Sequence, residues 1–300
     1  MALDVSNATA LLSSEHEMER ARGRRRFVLT VLLLAPAAVF FIFGFVVPLL
    51  DLLLLAFRPL DNAGSFTLDN FSRVFLDPLG RKILLDSLVI SAWTTVVCLV
   101  IGFPLAYQAA RGTALTRTII LMLVSFPLLT SSVVRTFGWQ VLLFPNGALN
   151  TILEAIGIPD PPALIGTHPG VIVALSEIFL PFMVLTLFSV VRTIDESIEE
   201  AAIDLGDAPL MVWWRVTLPL ARNGLVGGSL LVFSLAMSSY VTPKLIGQSR
   251  VLTLATTIFE QAIVLVRYPV AAAFAVVLLG ITLVVSVFAT RAMQMQKGAV

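Results

Sequence analysis

Two acidic residues, Glu177 and Asp86, lie within or beside strongly apolar stretches of this 300-residue chain. An ionisable residue in a membrane span costs roughly 2.5–3.5 kcal/mol on insertion scales, so each one needs a physical explanation. A carboxylate that lines a path through the membrane would attract a cationic solute. The alternatives are an ion pair with another helix, for which Arg135 is the partner of Glu177, and a side chain that reaches water, which suits Asp86 near a span end.

Aromatic residues offer a second kind of solute contact. Trp139, Tyr240 and Trp93 lie close to the ends of apolar segments. The face of an aromatic ring attracts a cation such as an ammonium group. Aromatic residues at this depth also anchor helices in the membrane interface. Trp139 and Tyr240 are therefore candidates for a solute pathway, with interfacial anchoring as the alternative.

The sequence lacks the residue patterns that catalysis requires. None of its three lysines, Lys82, Lys244 and Lys297, completes the glycine-rich phosphate loop of an ATPase. The two histidines, His16 and His168, are far apart in the sequence, and a single cysteine cannot form a cysteine-based metal site. No Gly-x-Ser-x-Gly nucleophile elbow occurs. We therefore expect no enzymatic activity, no bound metal and no cofactor in this chain.

Long apolar segments must position the side chains described above. The sequence is 58% hydrophobic and 13% charged, with a mean hydropathy of +0.95, so its solvent is largely lipid. A net charge of +1, with basic residues spread along the chain, argues against a nucleic-acid partner. The pattern predicts an all-α membrane protein with six transmembrane helices. Their approximate ranges are 27–50, 84–110, 119–137, 171–191, 224–246 and 270–290.

The distribution of lysine and arginine predicts the orientation of these spans. With the N-terminus in the cytoplasm, twelve basic residues fall inside and seven outside, and five arginines precede the first span. Both termini are therefore predicted to be cytoplasmic. Residues 1–26 form a cytoplasmic tail, residues 27–57 contain the first span, and residues 84–292 form a core with the other five. The first span is too long for the core of a signal peptide, so we expect it to be retained.

Two segments are predicted to form outer loops. Residues 58–83 are polar and contain turn-forming residues. Residues 145–169 contain five prolines and neither lysine nor arginine. Proline-rich segments are stiff and extended, so this second loop is predicted to present a docking edge.

The cytoplasmic segment 192–222 is predicted to begin with a short helix. Thr193 and Glu196 have the spacing of a capping box, in which a hydroxyl and a carboxylate satisfy free amides at a helix start. Acidic residues at 195, 196, 199 and 200 suit the positive end of the helix dipole. A narrow apolar stripe follows at Ile194, Ile198, Ala202 and Leu205.

A second short helix is predicted after a turn. Gly206 suits the left-handed residue that ends a helix, and Pro209 suits the first turn of the next. Its apolar face is predicted to contain Leu210, Trp213 and Val216. An amphipathic helix that binds anionic lipid is usually basic on its polar face. Because the first helix is acidic, the pair favours a protein partner, with an ordinary interfacial loop as the alternative.

The spacing within this segment resembles the signature loop of permease subunits in binding-protein-dependent ABC importers. Glu-Ala-Ala is followed after three residues by Gly, and after nine more by an aliphatic residue, any residue and Leu-Pro. The resemblance implies that this loop is a coupling helix seated in a groove of a cytoplasmic ATPase. The coupling residues would be Glu200, Ala201, Ala202, Gly206, Leu218 and Pro219.

Further segments are similar to the spermidine/putrescine permease branch of that family. They are residues 131–139, 145–150, 180–185 and 240–247, and the similarity extends over about residues 85–290. It implies the type I importer permease fold and a small polar or cationic solute, with a polyamine favoured. Importers of opines, phosphonates and amino-acid-like solutes are the alternatives. Asp86 stands where relatives more often carry Asn, so no role is transferred to it.

The resemblance also implies partners. A dimer of ATPase subunits would bind ATP and Mg. A second permease subunit, related but not identical, would complete the path. The assembly would lie in a bacterial inner membrane. A solute-binding protein would dock on residues 58–83 and 138–169 outside. Two other classes stay open: an ATP-independent secondary transporter or channel that uses Glu177 and Asp86, and a membrane anchor without a solute path.

Overall fold

The computed structural model describes residues 33–60, 66–145, 147–157 and 163–295. The predicted tail 1–26 and the first residues of the first span lie outside this part of the chain. The described residues contain helices and no strand. The helices are α1 Leu33–Ala56, α2 Asp69–Phe75, α3 Pro78–Arg111, α4 Ala114–Ser125, α5 Ser132–Leu143, α6 Ala148–Ala155, α7 His168–Val191, α8 Glu196–Asp204, α9 Pro209–Leu220, α10 Arg222–Ser238, α11 Val241–Ile246, α12 Leu254–Val264 and α13 Tyr268–Met295.

Several of these helices are long and apolar enough to cross a membrane. Among the described residues, four qualify by themselves: α1, α3, α7 and α13. The bent pairs α4–α5 and α9–α10 raise the number to six if each pair is one span. Leu54 ends the first of two compact units of the chain, and the second begins at Leu55.

The predicted third span, residues 119–137, is wrong as a straight helix. A 3₁₀ turn at Phe126–Leu129 follows α4, and α5 departs from it at an angle of 100°. Pro127 lies in this turn and removes one amide from the helix hydrogen bonds. The Arg135 Nη1 donates to the Pro127 carbonyl at 2.8 Å, so a side chain replaces a backbone donor at the bend.

Two further boundaries differ from the predicted spans. α3 begins at Pro78, not near residue 84, because the Asp77 carboxylate accepts from the Leu79 amide and proline suits the first helical position. The predicted span 224–246 ends at Ser238. Pro243 has no amide hydrogen to continue the helix through this point, so α11 forms a separate helix.

The predicted outer loops contain helices of their own. α2 lies within residues 58–83, where Asn70 Nδ2 donates to the carbonyls of Ala56 and Arg58 at 3.0 and 2.8 Å. α6 lies within the proline-rich segment 145–169, which is therefore not extended throughout. Residues 158–162, which hold three of its prolines, lie outside the described residues.

The core of the second unit is formed where α3, α7 and α10 pack together. α3 and α7 run in the same direction, because Asp86 contacts His168 near their starts and Arg111 contacts Ile194 beyond their ends. Met183 of α7 is fully buried between glycines of both neighbours. A Cβ at Gly102 or Gly228 would lie within 2.9 or 2.8 Å of the Met183 side chain. Small residues therefore allow these three helices to approach closely.

Gly224 gives the first prediction, since it lies where α10 crosses α7. A Cβ there would lie 2.9 Å from the Cβ of Val190, a branched residue that cannot swing aside. Gly224→Ala should therefore destabilise the fold by about 1–3 kcal/mol through overpacking. Gly227→Ala is the matched control, because a Cβ at that position meets nothing within 4 Å. Thermal unfolding in detergent measures both variants, and equal stabilities would contradict the close packing.

Candidate functional site

The first helix of the 192–222 loop begins after Asp195. The Asp195 carboxylate accepts a hydrogen bond from the Ser197 amide at 3.0 Å, and this bond lowers the pKa of Asp195. The predicted capping box of Thr193 and Glu196 is wrong. The Thr193 hydroxyl instead donates to the Val190 carbonyl at 2.7 Å, so this side chain belongs to the turn that ends α7.

Gly206 ends α8 in the left-handed conformation that the sequence predicts, with φ at +99°. The Gly206 amide donates to the Ile203 carbonyl at 2.9 Å, and the Asp207 amide donates to the Ala202 carbonyl at 3.1 Å. These two bonds satisfy carbonyls that a helix end leaves free. Pro209 then occupies the first position of α9, which confirms the predicted restart.

The apolar face of α9 differs from the predicted one. Leu210 is exposed, whereas Val212 and Thr217 are buried, and Trp213 and Val216 are half-buried. A π-helical turn at Trp213–Thr217 explains the shift. Val212 and Thr217 are five residues apart, which is the spacing of a π-helical hydrogen bond, so the α-helical period used for the prediction fails here.

Glu199 is the most connected side chain of the loop, and it is only 5% exposed. Arg111 donates to both carboxylate oxygens, from Nε to Oε2 and from Nη2 to Oε1, each at 3.1 Å. The Tyr107 hydroxyl donates to Oε2 at 3.1 Å, and the Thr217 hydroxyl donates to Oε1 at 2.9 Å. One carboxylate on α8 thus joins the end of α3 to α9.

These hydrogen bonds determine the charge of the site. Burial disfavours the ionised form of Glu199, but the hydrogen bonds from Arg111, Thr217 and Tyr107 and the charge of Arg111 together outweigh this penalty and lower the pKa of the carboxyl group. Arg111 also donates from Nη2 to the Ile194 carbonyl at 3.0 Å and lies 3.4 Å from the exposed Glu196. A guanidinium held in this way fixes the loop against α3 through charge-assisted bonds.

Aromatic rings pack together at the same junction between α3 and α9. Trp213 meets Phe103 edge-to-face with ring centroids 5.6 Å apart, and Tyr107 with centroids 4.8 Å apart. Phe103 and Tyr107 both belong to α3, so α9 is attached to α3 by rings as well as by Glu199. Arg117 donates to the carbonyls of Ala109 and Ala110, which satisfies the last turn of α3.

The opposite face of the loop is open to its surroundings. Of the predicted apolar stripe, Leu205 and Ile198 are 90% and 46% exposed, whereas Ala202 is half-buried and Ile194 packs against the core. Leu210 and Trp214 are also exposed. Of the predicted coupling residues, Glu200, Ala201, Gly206 and Pro219 are exposed, and Ala202 and Leu218 are half-buried. The loop is fixed on one face and presents acidic and apolar groups on the other.

A second cluster surrounds Glu177, in the N-terminal half of α7. Trp139 Nε1 donates to Glu177 Oε2 at 3.2 Å, and Arg135 Nε lies 3.6 Å from the same oxygen. The structure thus brings Trp139 to Glu177 as a hydrogen-bond donor, and it pairs Arg135 with this carboxylate as expected. The three side chains join α5 to α7.

Asp86 and Tyr240 lie in other surroundings. Asp86 Oδ1 is 3.1 Å from His168 Nε2, at the start of α7. Tyr240 stacks on Phe259 with ring centroids 4.3 Å apart. Within the described residues, no hydrogen bond or ring contact joins Asp86 or Tyr240 to Glu177. That part of the chain also contains no group of three or more metal-binding side chains.

The sequence did not single out Arg111 or Glu199. Glu199 stands among acidic neighbours that all suit a helix start, and its partner Arg111 lies 88 residues earlier. No local spacing links two residues so far apart. A basic residue at the predicted cytoplasmic end of one span and a carboxylate in the next predicted cytoplasmic loop were the available signal.

Known proteins resemble this chain over most of its length. The spermidine/putrescine transport system permease protein PotB of Haemophilus influenzae is 32% identical over 253 residues, which are 83% of this chain and 87% of that protein. PotB of Escherichia coli K12 is 36% identical over 214 residues, 71% of this chain and 78% of that protein. No protein-family model matches the chain.

Solved structures share the fold. A bacterial alginate ABC transporter, in complex with an alginate pentasaccharide-bound periplasmic protein, contains a chain that matches with a TM-score of 0.72. The match covers 89% of this chain and 93% of that one, at 19% sequence identity. The helices described above therefore have the arrangement of an ABC transporter permease.

Proposed function

Because this chain belongs to the family of spermidine/putrescine ABC importer permeases, we propose that it forms the translocation path for a polyamine such as spermidine or putrescine. The relatives named for that transport support the solute class. A carboxylate within a transmembrane helix, Glu177, suits a cationic solute. Trp139 beside it, and Asp86 and Tyr240 elsewhere, are the other pathway candidates.

The proposed topology has six spans and both termini in the cytoplasm. Four long helices, the bent pair α4–α5 and the α10 member of the second bent pair supply these spans, because α9 belongs to the 192–222 loop. The 192–222 loop and Arg111 then lie at the cytoplasmic surface, and Asp86 and His168 lie toward the outer surface. The distribution of arginine and lysine supports this orientation in a bacterial inner membrane.

The 192–222 loop is the proposed site of coupling to ATP hydrolysis. The observation that carries this proposal is its two-faced geometry: Glu199 fixes one face to α3 and α9, while apolar and acidic groups on the other face are exposed. An ATPase subunit that binds ATP and Mg would seat on the open face. Its movement would then reach the spans through Arg111, as alternating access requires.

Two other partners complete the proposed importer. A second permease subunit, related but not identical, would form the other half of the path. A periplasmic solute-binding protein would dock on the outer segments 58–83 and 138–169, which include α2 and α6. The structurally similar alginate ABC transporter, solved in complex with an alginate pentasaccharide-bound periplasmic protein, supports this part of the proposal.

A pull-down tests the assembly. The tagged chain would be extracted from its native membrane in mild detergent, and the proteins that accompany it would be identified by mass spectrometry. We expect an ATPase subunit and a second permease. A chain that returns alone after repeated mild extractions would contradict the proposal and favour a self-contained channel or secondary transporter.

A further inference from the structure

A small cavity lies beside Glu177, between α3, α4 and α7. Its volume is about 180 Å³. Leu105, Ile120, Val124 and Leu180 contribute to its wall, and Glu177 is the one ionisable residue among the described residues that line it. An apolar cavity with a single carboxylate at its edge matches a molecule that is aliphatic with a charged end.

One oxygen of the Glu177 carboxylate is available to such a molecule. Oε2 accepts from Trp139 and faces Arg135. Oε1 accepts no hydrogen bond from the described part of the chain, and the side chain is 28% exposed. A carboxylate with a free oxygen next to an apolar space has capacity for a further donor.

Arg135 holds this carboxylate only loosely. Its Nε lies 3.6 Å from Glu177 Oε2 and is buried without a hydrogen bond in the described structure. Its Nη1 is engaged with the Pro127 carbonyl. The pair is therefore a charge contact without the short bidentate bonds that stabilise Arg111 and Glu199. A donor that forms a direct hydrogen bond to Glu177 can replace it.

The depth of the site explains why a counter-ion is needed. Glu177 is the tenth residue of α7, so it lies roughly 14 Å along the helix axis from the start of that helix. An uncompensated carboxylate within the span is costly, and Arg135 supplies the opposite charge.

We infer that Glu177 binds the ammonium end of an aliphatic amine, that the adjoining methylene groups lie in the apolar cavity, and that Arg135 is the counter-ion when the amine is absent. This inference rests on the proposed polyamine import and locates the solute within it. An ammonium group has three donors, enough for Oε1 and for the contact that Arg135 releases.

The test uses the assembled transporter in proteoliposomes, with its ATPase subunits, second permease and binding protein. Uptake of radiolabelled spermidine and putrescine and stimulation of ATPase activity by the loaded binding protein are measured together. For Glu177→Gln we expect uptake to fall at least tenfold while ATPase stimulation stays within twofold of wild type. Glu260→Gln is the matched control, since Glu260 is a half-buried carboxylate with no ion pair in the described structure; its uptake should be unchanged.

A variant of Arg135 separates a counter-ion from a structural role. Arg135→Gln should lower the KM for spermidine several-fold and also lower the maximal rate, because the amine no longer competes with a guanidinium and is released slowly. A purely structural role would lower the maximal rate without lowering KM. That result would overturn the assignment of Arg135.

The remaining outcomes separate this inference from the proposed function. If wild-type proteoliposomes show stimulated ATPase activity but take up neither polyamine, the proposed solute class fails. If wild type transports and Glu177→Gln transports equally well, the inference is overturned and the proposed function stands. Loss of both uptake and ATPase stimulation in Glu177→Gln, with loss of the assembled complex, assigns Glu177 a structural role and also overturns the inference.

Discussion

Glu199→Ala is expected to release the 192–222 loop from α3 and to abolish uptake. The substitution leaves the Arg111 guanidinium buried and without its bidentate partner. Removing one member of a buried ion pair costs about 3–5 kcal/mol, which is comparable to the stability of a small structural unit. Hydrogen–deuterium exchange should show lost protection across α8 and α9, with the spans unchanged.

Glu196→Ala is the matched control, because Glu196 contacts the same arginine from the same helix. Its side chain is 64% exposed and its nearest oxygen lies 3.4 Å from Arg111 Nη1. Exposed ion pairs contribute about 0–1 kcal/mol, so this variant should keep both its amide protection and its transport. Equal effects of the two substitutions would show that the acidic loop acts through its charge and not through the buried junction.

Gly206→Val is expected to abolish uptake and uncouple ATPase activity while membrane insertion stays intact. A φ of +99° is strained for any residue with a Cβ, and a branched side chain makes it worse. Such strain costs about 1–3 kcal/mol and would straighten the turn between α8 and α9. A Cβ at this position meets nothing within 4 Å, so the effect comes from the backbone alone.

Gly206→Asn tests that reasoning, since asparagine tolerates left-handed backbone better than other residues with a side chain. We expect it to retain a large share of wild-type uptake. Uptake by reconstituted transporter and recovery of the ATPase in the pull-down provide the two measurements. Normal transport by the valine variant would contradict the assignment of this turn to coupling.

Much of the fold could be predicted from the sequence because it follows from local residue preferences. Gly206 ends α8 and Pro209 begins α9, as their backbone preferences predict. The long apolar segments predicted the positions of α3, α7 and α13. The same preferences gave a wrong prediction where two neighbouring residues suit the same position. Thr193 and Asp195 both suit a helix start, and only the extra turn at the end of α7 decides between them.

The features that the sequence did not predict depend on distant partners or on altered helix periods. The burial of Glu199 needs Arg111 and Tyr107, which lie on another helix. The bend after α4 needs Pro127 together with a donor from Arg135. Proline alone does not decide, since Pro104 and Pro181 lie inside continuous helices. The π-helical turn of α9 moved its buried face by changing the spacing on which the prediction relied.

The placement of Met183 between Gly102 and Gly228 has a mechanical consequence. α3 ends at the arginine that holds the loop, and α10 begins where the loop ends, so both helices that would receive its displacement pack against this one side chain. Methionine has three rotatable bonds and refills irregular space at little cost. The crossing can therefore slide by small steps without opening a void. A branched or aromatic residue at position 183 would prevent this movement. We therefore expect such a transporter to assemble and hydrolyse ATP but to take up no solute.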